Sequence, residues 1–338
     1  MRSDPRMPDA SRFEVMINPP DLSPWLAGDA DIPGIVTRDS GRPGPHVALF
    51  SLTHGNEFSG AIVLDALLRA GLTPARGRLS FVFVNIAAFE RFDPRYPTLS
   101  RFIDEDINRL WDETVLNGPR HSIELNRARE LLPFIARADV ILDLHSMLWP
   151  SDPLILCGPA ARGAALAAAI GTPPLVVADS GHANGRRLID HGRFAEGGAT
   201  AILLEAGQHW LPETVERTMA CVAGLLRHLD MVTVDAPLPP LAAGPPVRFA
   251  RVTDVVTART SAFSFARAWR GGEVIEQRDT LIAMDGVTEI RTPYDDCLLV
   301  MPSLRPGRGH TAVRLGQFAG EDEGRLSPAR GQTNPPDG

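Results

Sequence analysis

Short, almost continuous apolar runs alternate along this chain with longer stretches in which apolar residues recur every three to four positions. Val47 to Leu52, Leu79 to Val84, Val140 to Leu144, Leu175 to Ala178 and Ala201 to Leu204 are the runs. Such runs mark strands buried on both faces. Leu154 to Leu156 is a further short strand, and Gly34 to Thr37 precedes them all. Helical spacing appears between the runs. Phe58 to Ala70 places Ile62, Leu64, Leu67 and Leu68 on one side and stops at Gly71. About Ser122 to Arg137, the Ala-rich Ala160 to Ile170, and Glu213 to Leu229 read as three more helices. Alternating strands and helices predict an α/β fold, a mostly parallel or mixed sheet flanked by helices. Two stretches follow neither period: residues 86 to 120, and Gly181 to Gly198. Loops of that length are either functional or disordered.

The pattern also divides the chain. Residues 1–45 are an arm rich in Pro, Gly and Asp with one strand, 46–236 the α/β region, and 237–246 a proline-rich linker. Residues 247–318 hold short alternating segments (Arg248 to Val256, Glu273 to Ile275, Cys297 to Met301) and are expected to form a small C-terminal β domain. Residues 319–338, full of Gly, Pro and charge, are expected to be disordered.

Composition narrows the function classes. With 338 residues the chain holds a substantial core, and its net charge of -7 argues against general nucleic-acid binding. No apolar stretch approaches the roughly 20 residues needed to span a bilayer. The polar start, Met1 to Asn18, lacks the apolar core of a signal peptide. Cys157, Cys221 and Cys297 are odd in number and far apart, which argues against a disulfide framework. A cytoplasmic protein is therefore expected. All 34 basic residues are Arg, which excludes a Walker-type phosphate loop and a Schiff-base lysine.

Chemistry concentrates where the apolar runs end. His54 and Glu57 follow the run Val47 to Leu52, and Asp143 and His145 end another. Glu205 follows Ala201 to Leu204. In open α/β sheets ligands bind at the carboxyl ends of strands. His54 and Glu57 are three apart, so one helical turn aims both at one ion. Two histidines and one carboxylate leave a tetrahedral Zn²⁺ a vacant position for water, the arrangement of a catalytic site. Asp143 and His145 are two apart on a strand and share a face. Asp143 serves a histidine ligand, either His145 or His54, by accepting its second ring N–H. A carboxylate at Glu205 is suited to moving a proton between water and a leaving nitrogen. Arg101 and the run Asp106-Ile107-Asn108-Arg109 bring a planar cation for a carboxylate or an oxyanion. His182, His191 and His209 read as ordinary polar loop residues.

In order, His54-Gly55-Asn56-Glu57, Arg101 to Arg109, Asp143-Leu144-His145 and Glu205-Ala206-Gly207 resemble the succinylglutamate desuccinylase/aspartoacylase family, relatives of the zinc carboxypeptidases. The Arg101-Phe102-Ile103-Asp104-Glu105-Asp106-Ile107-Asn108-Arg109 run is closest to the aspartoacylase branch. The resemblance implies one Zn²⁺ on His54, Glu57 and His145, with Asp143 and Asp106 behind the ligands. It implies Glu205 as general base and then acid, Arg101 on the scissile carbonyl, and Asn108 and Arg109 on the substrate carboxylate. The implied fold is carboxypeptidase-like, with a C-terminal β domain narrowing the entrance. An additional substrate-side-chain arginine is expected shortly before the catalytic Glu. Arg193 is the nearest, with Arg186 and Arg187 competing. Neither Tyr96 nor Tyr294 aligns with the family's C-domain tyrosine, and His310 takes that place.

The leading expectation is thus hydrolysis of a small anionic N-acyl amino acid, with water on zinc as nucleophile. Nucleic acid and membrane are not expected as partners, and a homo-oligomer is left open. A zinc carboxypeptidase on short peptides is the alternative, and a non-catalytic zinc-binding module ranks below both. The acyl group and the amino acid are left open.

Overall fold

The parity of each apolar run decides which way its side chains face, and this alone builds two cores on one sheet. A computed structural model of the chain describes residues 13–27, 32–181, 184–241 and 244–319. Its strands are β1 (Ile35–Asp39), β2 (His46–Ser51), β3 (Arg78–Phe83), β4 (Val140–Met147), β5 (Leu154–Leu156), β6 (Leu175–Ala178) and β7 (Thr200–Gln208). Its helices are α1 (Ser59–Arg69), the short α2 (Ile86–Phe89) and α3 (Glu113–Leu116), α4 (Ile123–Ile135), α5 (Ala161–Ile170), the short α6 (Gly192–Ala195) and α7 (Pro212–His228). Val47, Leu49, Phe81, Leu142, Leu144, Ile202 and Leu204 point to one face, where α1, α5 and α7 pack. Ala48, Phe50, Val82, Ile141, Ala201 and Leu203 point to the other, covered by α4 through Leu125, Ala128, Leu131 and Phe134. Side chains alternate along a strand, so Asp143, His145 and Glu205 fall on the α4 face by register with Ile141 and Leu203.

The C-terminal region supplies β8 (Arg248–Thr257), β9 (Phe263–Phe265), β10 (Val274–Ile275), β11 (Leu281–Asp285), β12 (Thr288–Arg291), β13 (Cys297–Val300) and β14 (Thr311–Phe318). Four of these complete the main sheet, in the order β1-β3-β2-β4-β7-β5-β6-β8-β14-β13-β10, while β12-β11-β9 form a separate small sheet. Hydrogen bonding crosses the proline-rich segment, because β8 pairs in parallel with β6. Parallel pairing joins β2 to β3 and β4, and β4 to β7. Among the described residues no helix is long and apolar enough to cross a membrane. The expected tail lies almost wholly outside the described residues, as does His182.

Two strands run further than their apolar runs. β4 continues to Met147 and β7 to Gln208, so Asp143, His145 and Glu205 sit inside strands rather than after them. The physical reason is pairing: His145 is opposite Glu205 across β4 and β7, and Leu154 of β5 is opposite Glu205 on its other side. The segment 86 to 120 is likewise ordered, by a residue that carried no sequence signal. Glu124, fully buried in the first turn of α4, accepts from the backbone N–H groups of Ile103, Asp104 and Glu105 and from Asn85 Nδ2. Losing that carboxylate would strand the buried Asn85 amide at about 1–3 kcal/mol and release the partly buried backbone donors of residues 103–105.

Candidate metal centre and cleft

The loop after β2 is held in a shape that only its own sequence tolerates. Gly55 donates its N–H to the Arg101 carbonyl at 3.0 Å. A Cβ on Gly55 would lie 2.4 Å from Phe89 N and 2.5 Å from Ser100 O, so this contact needs glycine. Trp210 Nε1 donates to the Asn56 carbonyl from the far side. Leu52, two residues before His54, Trp210, next to His209, and Met301 in the cleft wall have positive φ, at 58°, 63° and 51°. Non-glycine residues hold such angles only where surrounding packing enforces them.

This frame brings His54, Glu57 and His145 together, each buried, with one ligand atom apiece within 4.8 Å of the others. His54 Nδ1 lies 2.8 Å from Glu57 Oε1, and His145 Nδ1 lies 3.0 Å from Glu57 Oε2. The opposite ring nitrogens meet aspartates: His54 Nε2 is 2.8 Å from Asp106 Oδ1, and His145 Nε2 is 2.8 Å from Asp143 Oδ2. Asp143 is fixed in turn by the Thr53 hydroxyl, which donates to Oδ1. Each histidine therefore turns one nitrogen to a shared point and the other to a carboxylate, the outer arrangement of metal-bound imidazoles. The sequence left Asp143 between two histidines; its partner is His145, and His54 takes Asp106.

The donor set fits a zinc ion. Two buried atoms on the cleft side have no aligned hydrogen-bond partner, His54 Nδ1 and Glu205 Oε2, whereas His145 Nε2 and Asp143 Oδ2 face each other behind the ring. Buried polar atoms are normally satisfied, so the two on the cleft side are open to a ligand. Two imidazoles and a carboxylate match the ligand preferences of Zn²⁺. The electrostatics agree. Burial works to raise the Glu57 carboxyl, yet His54 and His145 overcome it and hold the group well below its ordinary range. Burial works to strip the proton from His145, yet Asp143 and Glu57 keep its pKa well above the ordinary value. The site thus gathers positive charge at the point where a cation would sit.

Around this centre opens a cleft of about 590 Å³. Glu205 lines it. Burial pushes its carboxyl up to about 8, opposed by His145 and aided by Glu57. Arg101 donates to Glu57 Oε1 at 2.8 Å and to Asp106 Oδ2 at 3.2 Å. Asp106 is held well below its ordinary range because His54, Arg101 and Arg109 outweigh its burial. Arg109 lines the cleft, with Nη1 on the Asn108 carbonyl and Nη2 3.9 Å from Asp106. Asn108 spends its Oδ1 on the Leu188 N–H. His310, with Met301 and Arg314, brings the C-terminal region to the cleft wall. A larger groove of about 1180 Å³, against α7 and the proline-rich segment, has Glu216 as its one ionisable residue and holds no metal-ligating cluster among the described residues.

Two expectations need correction. Arg193 does not line the cleft: its guanidinium donates to the Ala138 carbonyl, at 2.7 Å from Nη2, because α6 turns it that way. His209 is no ordinary loop residue. It is buried at the end of β7, lines the cleft, and meets the Ser146 hydroxyl at 2.7 Å. His191 does cap α6 as a polar loop residue. Sequence reasoning also missed the partners of Arg187. This buried side chain bonds Asp190 through Nε (2.7 Å) and Nη2 (3.0 Å), and Asp179 through Nη1 (3.0 Å). The one available signal was its place in the loop that runs toward Glu205.

Comparison with known proteins places this architecture. The succinylglutamate desuccinylase/aspartoacylase catalytic domain matches residues 43–229. An aspartoacylase from Xenopus tropicalis is 31% identical over 116 residues, covering 31% of this chain and 35% of the relative. The match thus spans about a third of that relative's length. A succinylglutamate desuccinylase from Vibrio cholerae shares the fold with a TM-score of 0.64 at 17% identity, covering 85% of this chain and 86% of that one. The ectoine utilization protein EutE (DoeB) from Ruegeria pomeroyi does so with a TM-score of 0.59 at 18% identity, covering 83% and 87%. These likenesses concern the fold, while the domain match covers more than half of the sequence and includes His54, Glu57, His145 and Glu205. The chain belongs to the succinylglutamate desuccinylase/aspartoacylase family.

Proposed function

We propose that this protein hydrolyses the amide bond of a small N-acyl amino acid, with one Zn²⁺ held by His54, Glu57 and His145. The reading is carried by the convergence of those three residues beside the unpartnered Glu205 carboxylate. The cleft volume lies in the range of small-ligand sites, roughly 300–1,000 Å³. Zinc bound there would supply Lewis-acid chemistry, lowering the pKa of a coordinated water and polarising the scissile carbonyl.

The chain's own groups do the remainder. Glu205 takes the proton of the attacking water and returns it to the leaving nitrogen, and the burial that raises its carboxyl favours holding that proton between the two steps. Arg101, already fixed by Glu57 and Asp106, faces the charge that develops on the carbonyl oxygen. Arg109 and the Nδ2 of Asn108 receive the α-carboxylate. The products are a carboxylate and a free amino acid. Three buried, unpaired cysteines suit a reducing compartment, and we place the protein in the cytoplasm.

The test is release of free amine from a panel of N-acyl amino acids and dipeptides, with added Zn²⁺ and with a chelator. The expected result is zinc-dependent turnover of N-acyl amino acids. Turnover of dipeptides alone would turn the assignment to a carboxypeptidase, and turnover of neither would reject a hydrolase.

A further inference from the structure

From the arginines around the cleft we infer that the substrate carries a single carboxylate, with an uncharged acyl group and an uncharged amino-acid side chain. The inference rests on the hydrolytic reading above for the bond that is cut, but its argument concerns only charge. A second carboxylate entering a buried cleft gives up its hydration and needs a cation or convergent N–H donors in exchange. With no lysine in the chain, that cation is an arginine or a histidine. Of the two lining histidines outside the ligand set, His209 is buried against the Ser146 hydroxyl and His310 is exposed on the C-terminal wall, which leaves the arginines to decide the interior.

Every arginine in the loop that leads to Glu205 is already engaged. Arg186 Nε lies 3.1 Å from Asp112 Oδ2. Arg187 reaches the cleft but is only 1% exposed and is held by the carboxylates of both Asp179 and Asp190. A fourth hydrogen bond runs from its Nη2 to the Asp179 carbonyl, so one N–H of five is left. Arg193 is turned to the Ala138 carbonyl. From the C-terminal wall, Arg314 Nε lies 3.1 Å from the same Asp179 Oδ2 that holds Arg187. Four arginines line the cleft among the described residues, and three sit against carboxylates of the protein within 3.2 Å. Arg109 differs. Arg101, though more exposed (36% against 23%), is held by Glu57 and Asp106 and faces the scissile carbonyl. The Arg109 guanidinium bonds to a backbone carbonyl, with Asp106 at 3.9 Å. One such cation serves one α-carboxylate.

The rest of the lining mixes neutral polar residues (Ser146, Ser151, Asn184, Ser303 and Thr311) with the two histidines and an apolar wall, and adds no further arginine. Met147, Leu148, Trp149, Leu156, Leu203 and Met301 contribute apolar surface, which suits an aliphatic or thioether group and returns nothing to a carboxylate.

The experiment compares N-acetyl-leucine and N-acetyl-methionine with N-acetylaspartate and N-succinylglutamate on the purified protein, by kcat/KM and by calorimetric binding. The neutral pair should exceed the acidic pair by about tenfold or more in both readouts. Equal or greater kcat/KM for the acidic pair overturns the inference and leaves the hydrolytic reading intact. If nothing is turned over, the hydrolytic reading falls and binding decides alone. Tighter binding of N-acetyl-leucine than of N-acetylaspartate then upholds the single-carboxylate cleft. Equal or reversed binding, or binding of neither, overturns it.

Discussion

Two clusters in this cleft are built from the same material, buried carboxylates facing cations, and they come out opposite. Around Arg187, Asp179 and Asp190 take four of the five guanidinium N–H groups and balance its charge, so the group holds together without any visitor. Around Glu57, the imidazoles of His54 and His145 lean on aspartates from behind and turn their Nδ1 atoms to the front, beside the unpartnered Glu205 Oε2. A closed cluster gives shape and takes nothing more. An open one has a coordination shell waiting, so the open cluster is where the chemistry belongs and the closed one is part of the wall.

The sharpest way to separate the two is to delete a group from each. Glu205→Ala removes the proton carrier without touching the three ligands, so zinc content should hold while kcat falls about 10²- to 10⁴-fold. Wild-type turnover in that variant would end the assigned role. Arg187→Met strands the buried Asp190 and leaves Asp179 with Arg314 alone, and urea unfolding should show a loss of about 3–5 kcal/mol. Its folded fraction should still bind zinc. A change below about 0.5 kcal/mol would mean that the closed cluster is not closed.

Smaller effects probe the supports. Asp143→Asn keeps the shape behind His145 and removes the charge, which should weaken zinc binding about 10- to 100-fold in a competition assay with a chelating dye. An unchanged affinity would mean that Asp143 serves the strand rather than the metal. His209 tests the floor between the clusters. Burial lowers its pKa from the ordinary 6.5 to about 4. The unfolded chain therefore takes up a proton near pH 6.5 that the native ring refuses until about pH 4. Stability present above pH 6.5 is lost as the pH falls through that window, at most by about 3 kcal/mol. His209→Gln should flatten this part of the urea-midpoint profile of the metal-free protein. Parallel profiles would contradict it.

Local pattern carried much of this architecture, and its failures have one cause. The apolar runs named β2 to β7, and their parity put Asp143, His145 and Glu205 on a single face, because strand periodicity is a property of neighbours in sequence. His54 and Glu57 were legible as close neighbours after an apolar run, although they sit in the turn between β2 and α1 rather than on a helix. What escaped is long-range. Strands β4 and β7 continue through their polar residues because their partners do, and no window of sequence shows a partner. Glu124 looked like a first-turn helix glutamate, whereas its carboxylate ties down a loop some twenty residues earlier. By spacing Arg193 was the nearest candidate, with Arg186 and Arg187 competing, and only the turn around Asp179 and Asp190 decides which one is buried. The sheet likewise passes the proline-rich segment through the pairing of β6 with β8, which joins residues far apart in the chain.

The most direct test is the zinc content of the wild-type protein beside that of His145→Ala, measured by mass spectrometry of the metal after gel filtration. The account predicts about one zinc per wild-type chain and almost none in the variant. Equal content in the two proteins, or none in the wild type after incubation with Zn²⁺, would contradict it.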